Sequence, residues 1–535
     1  VYVSELLDKI QGFTSLDAVL EDRQLLNNDN LIVVVDIVKE LLETTIVSEL
    51  GYRIAVDKLN ELDVPETIKP LIDLSEFSYS NAKADLNSIL SAVKEVINFD
   101  VLGIYRDDQY INWAYASAII DLVKAVLSSK VLEFKKQELV DFLENNGYDV
   151  SYINVDNIDF AHDAEYVGNA LNIILTEVFA TADFPVHYFN DIQYVDFSDY
   201  KQFLTENNLY AAIDAVEALI GSTILAEGLS FAYNALLIPA MPEDYKFVLT
   251  EGLIGEELTS DLRLVLDLAK EVVSSGAYMY FVDDDVEIAG LANIAKHALD
   301  VAIDSYAIGT NIKSKIISAL ALAEIEVSEE EVEGVDLVAD QAHLNNILDL
   351  VEKLILDSNI NYVSELIDYI SSIDSFDTVF HDETVFNNNN LHTVVDVLDE
   401  LANLTLVSEL ASSVFESYEI EDDSEFVILL DFSSYDGHTF CADLQSLITP
   451  LHNLVDYNIL GIYRDNEEIN WADSQPIESL IKALLATEYA KLHTSDLVEI
   501  LGNYVKLVDV DVESIDLASD GTLIADAYAI IASGI

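Results

Sequence analysis

The chain has 535 residues, with 25 Lys and Arg against 99 Asp and Glu, a formal charge of -74 or about one net negative charge per seven residues. Yet 51% of residues are apolar and the mean hydropathy is +0.25, too hydrophobic for a disordered acidic tail, so a folded core under a very acidic shell is expected, with three to four domains at roughly 150 residues each. Such a shell excludes nucleic acid, whose phosphates need clustered Lys and Arg, and argues equally against anionic membrane surfaces.

Taken in chain order, the first element follows Asn27-Asn28-Asp29-Asn30, whose side-chain oxygens suit a helix N-cap. Behind it, apolar positions 31, 34, 35, 38, 41 and 42 fall on one helical face. Similar spacing predicts helices over 86–97, 118–127 and 167–178, four principal helices in this stretch. Several helices are expected to close on a Ser or Thr ahead of an apolar pair: Thr44 before Ile46-Val47, Ser222 before Ile224-Leu225, Ser274 before Ala277-Tyr278. Between helices, apolar-Asp-apolar pieces such as 194–198 and 427–433 read as short strands or extended connectors. Only 7 Pro and 18 Gly occur, few for an all-β chain with turns every ~8–12 residues. No run of ~18 apolar residues is evident to span a bilayer. The chain opens with neither a signal-peptide pattern nor Met, and its single Cys441 leaves no internal disulfide.

These elements recur. Tyr2-Val3-Ser4-Glu5-Leu6 returns as Tyr362-Val363-Ser364-Glu365-Leu366, and Leu102-Gly103-Ile104-Tyr105-Arg106-Asp107 as Leu460-Gly461-Ile462-Tyr463-Arg464-Asp465. The middle of the chain is a more diverged copy: Asn207-Asn208-Leu209 matches Asp29-Asn30-Leu31, and Lys270-Glu271-Val272 matches Lys94-Glu95-Val96. The triplets centred on Asp17, Asp196 and Asp377, and on Asp159, Asp336 and Asp516, mark the same period near 180 residues. Three copies are therefore expected, at 1–182, 183–360 and 361–535, with no Pro/Gly/Ser linker between them. The predicted fold class is mainly α: a tandem helical-repeat, solenoid-like array with short extended or β segments between helices. In style and repeat scale the chain resembles large tandem-repeat bacterial surface proteins rich in Asn, Asp, Ile and Tyr, a likeness that carries no site assignment.

The ends read as open. Ile530-Ile531-Ala532-Ser533-Gly534-Ile535 aligns with Ile355-Leu356-Asp357-Ser358-Asn359-Ile360, after which the second junction continues into Tyr362-Val363-Ser364 as the chain start does into Tyr2-Val3-Ser4. A self-contained repeat array ends in polar caps, whereas these termini are apolar. Ile530, Ile531 and Ile535 at one end, and Val1, Val3 and Leu6 at the other, are the candidate assembly residues.

Chemistry-bearing patterns are sparse. Arg106 with Trp113, and Arg464 with Trp471, could frame a ligand ring and an anion; the bland alternative, an Arg paired locally and a Trp wedged between repeats, is preferred because the middle copy has Val282-Asp283-Asp284 and no Trp there. Acid clusters at Asp283-Asp284-Asp285, Glu329-Glu330-Glu331 and Asp509/Asp511/Glu513 offer hard oxygen ligands for weakly bound Ca²⁺ or other cations, but none matches the twelve-residue loop pattern. The nine His are scattered without zinc-ligand spacing, His162 beside Asp163 and near Ser151 reads as chance, and no phosphate-binding Gly-rich loop appears. Asp36, Asp214 and Asp396, equivalent in the three copies, read as solvated acids beside an apolar stripe. No cofactor and no catalytic set is expected.

The leading expectation is a non-enzymatic structural segment of an extracellular or cell-surface filament, stalk, sheath or adhesin, of bacterial character, whose partner is itself: head to tail or as further covalent repeats. The alternative is an intracellular acidic helical-repeat scaffold for basic partners. An enzyme is a distant third.

Overall fold

The computed structural model describes residues 22–23, 26–100, 103, 113, 116–180, 201, 204–280, 285–322, 325, 327–373, 379, 381–417, 435–464, 474–496, 498 and 511–534. The chain is mainly helical, 78% helix. Among the described residues there is no strand, and Glu287 and Tyr362 form an isolated antiparallel bridge. The pieces at 194–198 and 427–433 lie outside the described residues. Where connectors are described they tend to be tight turns: Val150–Tyr152 and Val155–Asn157 are single 3-10 turns. Each is started by a side chain, Asp149 accepting from the Ser151 amide at 3.1 Å and Asn154 from the Asp156 amide at 3.2 Å.

Two compact units form, Val1–Ser274 and Ser275–Ile535. The boundary falls inside the stretch expected as the second copy. In the first unit the principal helices are α1 (Asn28–Glu43), α2 (Thr45–Asn60), α3 (Tyr79–Asn98), α4 (Ser117–Leu127), α5 (Lys130–Asn145), α6 (Phe160–Ile173), α7 (Glu206–Leu219), α8 (Thr223–Phe231) and α9 (Gly255–Ser274). The row α1, α3, α4, α6, α7, α9 packs in that order, each helix against the next. The second unit holds α10 (Leu291–Asp304), α11 (Tyr306–Gly309), α12 (Ile312–Leu322), α13 (Leu337–Asp357), α14 (Val363–Ser372), α15 (Asn388–Ala402), α16 (Thr405–Ser417), α17 (Gly437–Asp456), α18 (Gln475–Ala486), α19 (Glu488–Leu492) and α20 (Leu517–Gly534). Its row is α10, α13, α15, α17, α18, α20.

Among the described residues the first copy thus has six principal helices rather than four. The two that periodicity missed, α2 and α5, start almost where their predecessors stop. Thr44 ends α1, donating its hydroxyl to Leu41 O at 2.7 Å, and opens α2 by accepting from the Val47 amide at 3.3 Å. Ser222 likewise caps α8, accepting from the Leu225 amide at 3.2 Å. These Ser and Thr residues start the next helix as well as closing the last. Ser274 is the last residue of α9. The Asn clusters behave as expected: Asn27 caps α1 and Asn387 caps α15, accepting from Asn30 N at 2.9 Å and Asn390 N at 3.0 Å.

The reversal after the α3-type helix needs positive φ in each copy. Asp100 (63°), Gly276 (79°) and Asn458 (61°) occupy it, the residue types that tolerate left-handed backbone. Apolar clusters fill the rows. Trp113, Ala116, Ile120 and Leu175 form one, and Val395, Ile448 and Val455 another between α15 and α17.

Among the described residues one helical stretch, Thr223–Ala240, is long and apolar enough to cross a membrane by length and composition, although Glu227 and Asn234 interrupt it so that it is not an unbroken apolar run. It runs from α8 through a π-helical segment, Ala232–Leu237, to Ile238–Ala240. Its polar residues serve packing within the first unit. The Glu227 carboxylate accepts from Asn154 N and Asn157 Nδ2, both at 2.7 Å, and buried Asn234 donates to Leu253 O at 2.9 Å.

Candidate functional site

Where one copy meets the next, the same polar device appears twice. In the first unit α6 packs on α7 and α8. Asp163 of α6 is fully buried and holds the start of α8: Oδ1 accepts from Thr223 N at 2.7 Å, and Oδ2 from Thr223 Oγ1 at 2.6 Å and Ile224 N at 2.7 Å. The Asp159 amide donates back to Thr223 Oγ1 at 2.8 Å. In the second unit α13 packs on α15 and α16, and Asp340 of α13 repeats the pattern. Its oxygens accept from Thr405 N (2.7 Å), Thr405 Oγ1 (2.8 Å) and Leu406 N (2.9 Å), while the Asp336 amide reaches Thr405 Oγ1 at 2.8 Å.

The chemistry is a helix N-cap supplied by a neighbouring helix. The first amides of a helix lack intrahelical acceptors and carry partial positive charge, so a carboxylate placed there is stabilised even when stripped of water. A related clasp joins helices within a copy. Asp85 accepts from the Lys130 and Val131 amides, both at 2.9 Å, and Asp443 from the Glu488 and Tyr489 amides, both at 3.0 Å. Tyr435 also donates its hydroxyl to Asp443; burial first, then this hydrogen bond to a carboxylate, pushes the Tyr435 phenol well above its usual range.

Asp163 and Asp340 were missed in the sequence, although each lies four residues after a marked Asp: Asp159-Asp163, Asp336-Asp340 and, in the third copy, Asp516-Asp520. Asp516 caps the start of α20 through the Ser519 amide at 3.1 Å, as Asp159 and Asp336 cap α6 and α13. No partner meets the Asp520 carboxylate among the described residues. The complementary half, Thr45-Ile46 at the start of α2, is exposed, and its two amides and the Thr45 hydroxyl likewise meet no acceptor or donor among the described residues.

The surrounding apolar positions follow the same rule. Val33 of α1 is 54% exposed, whereas its equivalents Ala211 and Thr393 are 2% and 1% exposed. Leu50 of α2 is 55% exposed against 7% for Leu410. On α20, Leu523, Ile530 and Ile531 are 65%, 72% and 63% exposed. Aligned on the equivalent caps Asp336 and Asp516, Ile530 and Ile531 of α20 correspond to Leu350 and Val351 of α13, whereas the end-on alignment of the sequence sets them against Ile355 and Leu356.

The other candidates fall as follows. Trp113 is buried inside its own copy, edge-on to Phe179 at 5.3 Å and against Leu171 and Leu175, so it packs within a repeat rather than between repeats. Arg464 donates from Nη1 to Phe386 O at 3.0 Å, ahead of the Asn387 cap. Arg106, Trp471, Ile535, Val1, Val3 and Leu6 lie outside the described residues, as do Asp283, Asp284 and Asp509. Among the described residues no three His, Cys, Asp or Glu converge as metal ligands. Asp285 instead accepts from Ser364 Oγ at 3.1 Å, and Glu331 from the Ser328 amide at 2.6 Å and from the Ser413 hydroxyl. These hydrogen bonds hold the Glu331 carboxyl below its ordinary value.

Asp36, Asp214 and Asp396 are not merely solvated. Asp36 pairs with Lys94 at 2.8 Å, and Lys270 reaches Asp214 at 3.6 Å and Glu217 at 2.5 Å; the Glu217 hydrogen bond is the main cause raising the Lys270 ammonium. In the third copy the cation is replaced by histidines. His452 meets Asp396 at 3.2 Å, His392 meets Asp456 at 3.0 Å, and the two rings stack with Nδ1 atoms 2.7 Å apart. His452 and His392, each with a carboxylate, thus stand where the first two copies place a Lys beside the equivalent Asp.

The chain matches no protein-family model, no curated protein and no solved structure.

Proposed function

We propose that the chain is a structural repeat segment of an extracellular or cell-surface filament, stalk, sheath or adhesin, its helices arranged as a solenoid-like array. The observation that carries this reading is the seam clasp: it is made at both internal junctions, while among the described residues one unmatched half is presented by α20 and the other by α1 and α2. Repetition of one junction extends reach at constant local stability, because each unit needs only its neighbours. A charge of -74 keeps neighbouring fibres apart and soluble. The same charge favours a second reading, an intracellular scaffold for basic partners. Immuno-gold labelling of the source cells separates the two: label on the surface or on extended material is expected, and label confined to the cytoplasm overturns the structural role in favour of the scaffold.

A further inference from the structure

We propose that Asp516 and Asp520 of one molecule close on Thr45 and Ile46 of a second copy of this chain, seating α20 against α1 and α2 of that copy. The inference rests on the structural role above and specifies its joint. Continuity with two established junctions supplies the occupant. α6 against α7 and α8, and α13 against α15 and α16, are the same junction built from aligned residues: Asp163 or Asp340 on one side, Thr223-Ile224 or Thr405-Leu406 on the other. Asp520 and Thr45-Ile46 hold these two positions in register. Each is unmatched among the described residues, and each is flanked by exposed apolar side chains whose equivalents are more covered: Ile46, Leu50 and Val33 on one side, Leu523, Ile530 and Ile531 on the other.

Chemistry narrows the partner further. A generic apolar surface closing over α20 would bury the Asp520 carboxylate without donors, which is costly. A helix start bearing Thr-Ile provides two amides and a hydroxyl in the arrangement that Asp163 and Asp340 already use. Selectivity therefore comes from the buried carboxylate, and adhesion from the apolar side chains around it. The two faces differ, so the contact is heterologous: it propagates as an open fibre unless the rotation closes a ring. Since both faces belong to a strongly acidic molecule, association should strengthen as salt screens their repulsion.

The test uses the whole chain in sedimentation velocity at about 0.3 M NaCl, where screening extends only a few Å. Three proteins are compared after circular dichroism verifies equal helix content: the native chain, Asp520→Lys on one face and Ile46→Asp on the other. Both sites are at least partly exposed, and Asp520→Asn serves as a milder second variant. The native chain is expected to grow past dimer with concentration. Either variant alone should associate at least about 30-fold more weakly, and a 1:1 mixture should recover a dimer that grows no further, since each variant retains one sound face. Asp520→Asn should weaken assembly by a smaller factor.

A native chain that stays monomeric at millimolar concentration overturns the joint, as does a variant that assembles like the native chain or a mixture that fails to form the dimer. Failure here is distinct from failure of the structural role. A surface-located chain that stays monomeric loses only this joint, whereas an assembling chain found only in the cytoplasm loses the role.

Discussion

Removing one internal clasp gives the sharpest check on the energetics. Asp340→Ala deletes three hydrogen bonds from a fully buried carboxylate to Thr405 N, Thr405 Oγ1 and Leu406 N, leaving two helix-start amides without acceptors. A hydrogen bond to a charged group contributes about 1.5–3 kcal/mol, and an amide left unpaired and dry costs about 1–3 kcal/mol. Against this, the substitution removes a buried charge whose desolvation was itself unfavourable by several kcal/mol. The balance is a local loss of about 3 kcal/mol, or roughly a 150-fold rise in opening of the α13–α16 contact. Hydrogen exchange is the right assay, because with two compact units a single melting temperature does not isolate one seam. Protection of peptides spanning the start of α16 should fall by about two orders of magnitude, while α10 changes little. Asp349→Ala is the control: Asp349 is exposed and pairs with Lys296 at 2.6 Å, and such surface pairs contribute about 0–1 kcal/mol. If Asp340→Ala changes exchange at α16 by no more than that control, the trans cap is not what holds the seam.

Further outcomes follow from the charge distribution. With -74 formal charges, thermal midpoints should rise by several degrees between 0.02 and about 0.5 M NaCl, as repulsion is screened over ~10 Å at 0.1 M and less beyond; a midpoint indifferent to salt contradicts this. His452→Lys should retain or raise stability, because it restores the ion pair that Lys94 makes with Asp36, whereas His452→Leu, which strips Asp396 of its partner, should lower it; equal melting curves would refute a stabilising role for the Asp396 contact. Glu331 lies below its ordinary value of 4.5 because hydrogen bonds from Ser328 and Ser413 stabilise its carboxylate. Its contribution is present above pH 4.5 and lost as pH falls through its lowered folded value, so Glu331→Gln should be less stable than the native chain at pH 7 and indistinguishable from it once both are fully acidified, in urea titrations across that range.

Periodicity and local capping were legible in the linear chain. The apolar spacing behind Asn27 and Asn387 specifies α1 and α15, because that signal is carried by residues close in sequence, and the ~180-residue recurrence is itself a property of the linear chain. Helix α2 was not legible: Thr44 serves as the end of α1 and the start of α2, leaving no loop of polar or Gly/Pro residues to mark the break. The role of Asp163 was hidden for a different reason. Its partners Thr223 and Ile224 lie 60 and 61 residues away, and a carboxylate in an acidic chain looks the same whether it is solvated or clasped. Only packing α6 on α8 removes its water and presents two helix-start amides in exchange. Trp113 shows the same division: sequence marks it as unusual, but whether it lies between copies or inside one depends on the crossing of α4 and α6, which places Leu171 and Leu175 beside it. Local pattern dictates which segments become helices; which faces become seams is decided by tertiary packing, since burial and desolvation are properties of neighbours distant in the chain.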